Sequence, residues 1–500
     1  MNRLILPPLA GACAAALAAL APTVAAAETA LTVYSASAPG TLSADALSAG
    51  GRQLPGFAVV RETRALNLAE GRSEIRFTDV AALIDPTTVT FESLTDPAGT
   101  RVVEQSFQFD LVDSARLLER YVDRDITVEQ AHGGTVDRSS GKLLSTAGGL
   151  TLLAPDGKVR IVRDHRSVEL PSLPGGLITR PTLVWDIAAR RGGTHQARVG
   201  YQTEGLSWWA DYNVEYVEAK DGACRLDVGA WVTLVNRSGA TFSDARLKLV
   251  AGDVQRVRPA VHPRTYAPQA AMGEAKVAGF EEKTFFEYHL YTLGRPTTLP
   301  DRSTKQIELF GTARGVACEK RLVYEGSRVP PYAGPEPLTD RAYGAGGNRK
   351  VDVLLEFANR RERGLGMPLP AGKVRVSQRD PADQSLEFVG EDVIDHTPKD
   401  EKLRVRLGSS FDIVGERRQA DFKVDTRART LSETIEVQLR NHKDRAVEVT
   451  VREPMYRWLN WSIAEASHEF ARRDARTVEF LARVAANGET VVRYTVRYSW

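Results

Sequence analysis

From residue 30 to the last residue, apolar and polar side chains alternate in short runs broken by Gly, Pro, Asn and Asp. A period of two puts successive side chains on opposite faces of an extended chain, so the pattern predicts strands. Phe57 to Leu68, Ser73 to Phe77, Thr88 to Phe91 and Val102 to Phe109 make an N-terminal β region. Between residues 206 and 216 the same period gathers Leu206, Trp208, Ala210, Tyr212, Val214 and Tyr216 on a core face. Trp209 falls on the other face with Ser207, Asp211, Asn213 and Glu215, where an indole can stack on a sugar or a partner's side chain, or be covered by a neighbouring loop. One helix interrupts the strands: from Asp113, a plausible N-cap, Ala115, Leu118 and Val122 recur at helical spacing. Short strands from Ile126 to Leu170, broken at Gly133-Gly134, Gly148-Gly149 and Asp156-Gly157, predict a small barrel-like module.

The Pro-rich stretch from Leu170 to Gly176 reads as a linker to the larger second half. Pro259 to Gly279 and Pro330 to Asn348 read as long exposed loops, mobile or functional. Three strand-like runs, 231–236, 351–359 and 434–441, each stop at an asparagine (Asn236, Asn359, Asn441) and cross a polar turn toward another strand. Asparagine tolerates left-handed backbone and bonds its own turn, so this recurrence fits either repeated immunoglobulin-like hairpins or convergence on common turn chemistry. The expected fold is mainly β, with several immunoglobulin-like sandwiches, small barrel-like modules and one short helix in the N-terminal half. The expected divisions are 28–122, 123–175, 176–330 and 331–500.

Residues 1–27 read as a cleavable signal peptide: Arg3, an Ala-rich apolar stretch from Leu4 to Ala21, Pro22, and Ala25-Ala26-Ala27 before Glu28. The mature protein is therefore expected in the periplasm or outside the cell. No later window holds 18 consecutive apolar residues, so no spanning helix is expected. With 66 Lys+Arg against 64 Asp+Glu, no net field recruits nucleic acid. Cleavage leaves Cys224 and Cys318 where disulfides persist, as a candidate bridge or as two buried thiols.

The richest polar cluster is Gly390-Glu391-Asp392-Val393-Ile394-Asp395-His396. Carboxylates and an imidazole this close can hold a cation or act as acid and base, yet the spacing matches neither an EF-hand nor a zinc motif. Asp392, Asp395 and His396 thus join Trp209 as candidate binding residues, with no metal or other cofactor expected. There is no G-x-S-x-G elbow and no phosphate-binding Gly loop. Arg472 stands where a zinc-protease motif begun by His468-Glu469 needs its second histidine. Long-range assembly of a Ser-His-Asp site stays open. The terminal alternation Val492, Tyr494, Val496, Tyr498, Trp500 suits the last strand of an outer-membrane barrel or of a soluble sandwich.

At Tyr201-x-Thr203-x-Gly205-Leu206-x-Trp208-x-Ala210-x-Tyr212, then Val235-Asn236-x-Ser238-Gly239-x-x-Phe242 and Gly252, the chain resembles the bacterial family known as domain of unknown function 4139. The likeness continues through Gly364-Leu365-Gly366-x-Pro368-Leu369-Pro370-x-Gly372, Phe388-Val389-Gly390-Glu391-Asp392 and Phe411-Asp412. The resemblance implies an exported, β-rich protein related to the C-terminal part of mucoidy inhibitor A proteins, without the long coiled-coil segment those insert. It carries no catalytic residue across. The expected function is a non-enzymatic binding or structural module for an envelope protein or glycan, with a hydrolase of envelope polymers and an outer-membrane barrel as alternatives.

Overall fold

A computed structural model describes residues 28–35, 54–108, 114–132, 135–172, 180–218, 223–252, 254, 280–327, 329 and 334–500. The expected signal peptide, Asp113, Gly133-Gly134, the whole Pro259–Gly279 loop and part of the linker after Leu170 lie outside the described residues. The protein is 66% strand and 2% helix, and none of its sheets closes as a barrel.

In chain order the first strands are β1 (Glu28–Tyr34), β2 (Phe57–Leu68), β3 (Gly71–Thr78), β4 (Ile84–Ser93) and β5 (Thr100–Gln108), followed by the helix α1 (Ser114–Arg120). Then come β6 (Asp125–His132), β7 (Thr135–Ser145), β8 (Leu150–Leu153), β9 (Val159–Val162) and β10 (Ser167–Glu169). The third group is β11 (Thr182–Ala189), β12 (Gly193–Thr203), β13 (Leu206–Glu218), β14 (Cys224–Asn236), β15 (Phe242–Ala251), β16 (Phe280–Phe285), β17 (Tyr288–Leu293), β18 (Thr297–Leu299) and β19 (Ser303–Tyr324). The remainder are β20 (Lys350–Ala358), β21 (Gly372–Arg379), β22 (Leu386–Ile394), β23 (Lys402–Asp425), β24 (Thr430–Asn441), β25 (Val447–Pro454), β26 (Trp461–Ala466), β27 (Phe470–Asp474), β28 (Thr477–Val484) and β29 (Glu489–Ser499).

Strands β6 to β10 form a five-stranded sheet of their own in the order 10-6-7-8-9. Its buried face, with Ile126, Val128, Leu143 and Leu152, packs on Tyr121 and on Leu118 of α1. The expected barrel-like module is thus an open sheet: β9 and β10, only four and three residues long, are its two edges and do not pair with each other. It is inserted between strands that belong together. β12 pairs with β2 from Gly193 opposite Leu68 to Thr203 opposite Ala58, and β11 lies between β3 and β5. Strands from residues 28–108 and 182–251 therefore share sheets, although the sequence reads them as separate segments.

The largest sheet runs β22-β21-β13-β14-β19-β20-β23-β24-β29-β26, with β25 on β19, and β27 and β28 continuing from β25. Its first part packs against the eight-stranded sheet of β1, β2, β12 and β15, so that Leu31, Val60, Val199 and Leu247 share one core with Trp208, Leu226, Val232 and Phe310. Its second part makes another sandwich, Ile435, Val437, Tyr494 and Val496 facing Val449, Val451, Phe480 and Ala482. The terminal strand β29 lies between β24 and β26, and its alternating Val492, Tyr494, Val496 and Tyr498 are buried in that core.

Two long strands join the sandwiches. β19 pairs with β14 as far as Cys318 and with β20 from Cys318 onward. β23 pairs first with β20 and then, from Ile413, with β24. At the crossover Cys224 and Cys318 stand opposite each other in a disulfide, with Cα atoms 5.0 Å apart and a sequence separation of 94.

Candidate functional site

The acidic cluster lies on β22 and the turn that follows. The large sheet curls until β22 returns to β23, but no ladder joins them; β21 is the ladder partner of β22 among the described strands. The seam is tight at Gly390, where any side chain would overlap the Leu407 carbonyl. Next to it, Asp392 Oδ2 accepts the Arg406 N–H at 2.7 Å and Oδ1 accepts the Val393 N–H at 2.9 Å. A carboxylate here substitutes for a missing ladder bond. His396 Nδ1 accepts the Ala371 N–H at 3.0 Å, so the neutral ring carries its proton on Nε2. That bond fastens the Pro368-Leu369-Pro370 turn, whose outer carbonyls accept Tyr291 Oη at 3.1 Å and Tyr212 Oη at 2.7 Å. Asp395 is exposed and offers only its backbone carbonyl to Thr397 Oγ1. Among the described residues no three of His, Cys, Asp and Glu gather into a metal site. The three candidates stand close in sequence but bond in different directions, because alternation along an extended chain separates neighbours.

Trp209 is half-buried opposite Thr233 of β14. Its face is less open than its polar neighbours suggest: Ser207 and Asp211 are buried, and Asp211 accepts Thr233 Oγ1 at 2.5 Å and Arg375 Nη1 at 3.0 Å. The core face matches expectation throughout, with Leu206, Trp208, Ala210, Tyr212, Val214 and Tyr216 all buried.

A cleft of about 540 Å³ opens where β20, β23, β25 and β28 meet, lined among others by Glu325, Ser327, Asp352, Arg406 and Arg452. Its charges answer one another. Arg452 donates through Nη1 to Glu325 at 2.5 Å and through Nε to Glu479 at 2.9 Å; Arg406 Nη2 donates to Asp352 at 2.9 Å. The Asp352 hydrogen bond holds the Arg406 guanidinium above its ordinary pKa, so it stays charged.

Two arrangements were not read from the sequence. Ser93 Oγ lies 2.9 Å from His195 Nδ1, and His195 Nε2 lies 3.0 Å from the Arg191 carbonyl. With Nε2–H donating to that carbonyl, Nδ1 accepts the serine proton, as a general base would. Ser93 is 1% exposed, however, and its oxygen also accepts the Asp96 N–H at 3.1 Å. The group locks the β4–β5 turn to the β11–β12 turn.

The second arrangement is a buried ionic network in the second sandwich. Arg417 Nε donates to Glu453 and Arg457 Nε to Glu433, each at 2.9 Å, with all four side chains at most 1% exposed. Tyr494 Oη donates to Glu453 at 2.6 Å, and Gln419 Nε2 to Glu433 at 2.7 Å. Burial opposes the charge on Arg417, but Glu453 together with the nearby Tyr494 and Tyr456 outweighs it and holds the guanidinium well above its usual pKa. Other donors of the same arginines fasten the chain at 338–344: Arg457 reaches the carbonyls of Leu338, Asp340 and Tyr343, and Arg417 that of Gly344. The described part of the loop at 330–348 is exposed or half-buried throughout, as expected, and is held down as a strap by buried cations. Gly344, at φ 73°, sits where a side chain would meet the Tyr456 ring at 2.5 Å.

No protein-family model matches the chain, and no curated protein matches it.

Proposed function

We propose that this protein is an exported component of the bacterial cell envelope, periplasmic or extracellular, as its resemblance to the domain of unknown function 4139 family implies, and that it binds another envelope component without catalysing a reaction. The observation that carries this reading is the Cys224–Cys318 bridge, which joins directly opposed strands across a long loop; such bridges form and persist in oxidising compartments. The N-terminal signal pattern supports the same location. Asp392 and His396 serve the fold, each through a hydrogen bond from a backbone N–H. On the side of hydrolysis stands the Ser93–His195 hydrogen bond, enclosed where a polymer cannot reach it.

Osmotic-shock extraction followed by thiol alkylation tests the proposal. The expected result is recovery in the shock fluid with Cys224 and Cys318 alkylated only after reduction. Retention in the cytosol with both thiols freely alkylated would overturn it.

A further inference from the structure

We propose that the free edge of β22, on the Leu386–Val389 side of Gly390, binds a basic, extended segment of a partner protein by strand addition. The proposal deepens the binding-module reading and rests on it for the partner's presence, while its own test is made on the purified chain.

The first observation is an edge with unused backbone. β22 ladders to β21 on one side; on its other side no ladder joins it to β23, which it meets closely at Gly390 and Asp392. Before Gly390 the register to β21 slips between Val376 and Ser377, and Leu386, Glu387, Phe388 and Val389 are all exposed. Unpaired N–H and C=O groups on such an edge are a template for another strand.

The second observation is apolar surface without a covering element. Phe388 is 63% exposed and Leu386 52%, with Val389 and Val393 exposed on the same strand. β22 and β23 run antiparallel along the seam, Gly390 beside Leu407 and Asp392 beside Arg406, so Phe411 follows on the β23 side toward the same open end. Phe411 is 96% exposed. Contiguous exposed apolar side chains around an unpaired edge mark an interaction site.

The third observation is charge, and it chooses the occupant. From Asp380 to Asp395 the chain carries Asp380, Asp383, Glu387, Glu391, Asp392 and Asp395 and no Lys or Arg. Glu391 is answered by Lys373 and Arg375 at 3.7 and 3.5 Å and Asp392 by backbone, while Glu387 lies on the free stretch itself and Asp380 and Asp383 in the β21–β22 turn beside it, so the acidic margin gathers at the hairpin end of the edge. A second copy would bring two acidic margins together, and like charges directly opposite are unfavourable. A strand alternating Lys or Arg with apolar residues meets both the carboxylates and the phenylalanines.

The test titrates the purified full chain with two fluorescent peptides of about seven residues, one alternating Lys and Val, the other Glu and Val, read by anisotropy. The Lys-Val peptide is expected to saturate, to bind at least about tenfold more tightly than the Glu-Val peptide, and to weaken with salt. Phe388→Lys is expected to lower its affinity by at least about tenfold, whereas Leu481→Lys, at another exposed apolar site, on the second sandwich, leaves it unchanged. Thermal melts of both variants should match the parent, since both side chains are exposed. Absence of saturation, equal binding of the two peptides, or equal effects of the two substitutions would overturn the proposal. Export measured by osmotic shock is untouched by any of these outcomes, so the failure of either idea is distinguishable.

Discussion

The two sandwiches of the large sheet share a wiring and differ in what lies inside it. In the first, β13, β14 and β19 face β15 and β18; in the second, the later half of β23 with β24 and β29 faces β25 and β28. Asn236 ends β14 opposite Leu206, and Asn441 ends β24 opposite Ile413. Each asparagine donates Nδ2 to the carbonyl four residues ahead, Ala240 or Arg445, at 2.8 Å. Each also reaches the carbonyls that end the facing strand, Leu299 and Pro300 in one case, Val484 and Ala485 in the other. Each accepts an N–H two residues on, from Ser238 or Lys443. Asn359 makes a related latch to Met367 and Pro398. The same buried side chain doing the same work twice favours repeated units over chance similarity of turns.

The difference begins at the turn. In the first sandwich Leu83 donates its N–H to the Ser238 carbonyl, and Gly239, at φ 81°, faces Ala82 with no room for a side chain. In the second, Asp444 takes the equivalent place and helps line an open, charged cleft of about 740 Å³ with Asp412, His442, Lys443 and Arg445. Glycine stands where a neighbour presses, and a charged residue where none does. Inside, the first sandwich closes on Trp208, Tyr212 and Phe310 and is pinned by the disulfide, while the second encloses two ion pairs that hold its strap.

The largest expected effect lies in the second unit. Arg457→Ala leaves Glu433 buried without its cation and frees three carbonyls of the strap, and should cost about 4 kcal/mol in urea unfolding; a loss below about 1 kcal/mol would place the pair among ordinary surface bridges. Cys318→Ser acts on the first unit and, by releasing a long loop in the unfolded chain, should cost about 3 kcal/mol, a cost that reductant reproduces in the parent and does not add to in the variant. Gly239→Asp should destabilise by about 2–3 kcal/mol through strain and overlap with Ala82, whereas Asp444→Gly should stay within about 0.5 kcal/mol; equal effects would break the contrast between the turns. Asn236→Ala and Asn441→Ala should each cost about 2 kcal/mol, and unequal losses would break the equivalence of the latches.

The smallest effect is one of pH. Burial raises the Glu62 carboxyl above its ordinary pKa despite the neighbouring Arg64. The folded chain therefore holds that proton more tightly than the unfolded chain, and this group's contribution to stability falls as pH rises from the ordinary carboxyl range through the raised value. Glu62→Gln should flatten that fall in urea midpoints measured between acid and neutral pH. A steeper fall in the variant would reverse the sign.

The strands and the buried parity of β13 were legible because alternation is a local property, and the cysteine pair because its chemistry is rare. The ion pairs were not, although a signal was present. Glu433 sits on the parity of Leu431, Ile435, Val437 and Leu439, and Glu453 on that of Val449, Val451 and Met455, all buried. A charge in phase with a core face marks a buried partner, and that partner lies on another strand where local reading cannot find it. The acidic cluster misled in the opposite way: proximity along β22 suggested one site, while pleating sends Asp392 to the seam and leaves Glu391 outside. Nor does alternation specify pairing, which is why strands from 28–108 and 182–251 appeared to be separate regions.

Native-state hydrogen exchange tests the central contrast most directly, measured on the parent, the reduced parent and Arg457→Ala. Reduction is expected to loosen amides at 224–236 and 303–318 while 430–441 and 489–499 keep their protection, and Arg457→Ala to do the reverse, opening the strap at 338–344 as well. Loss of protection in both sandwiches together under either change would contradict the account of two like-wired units held by different means.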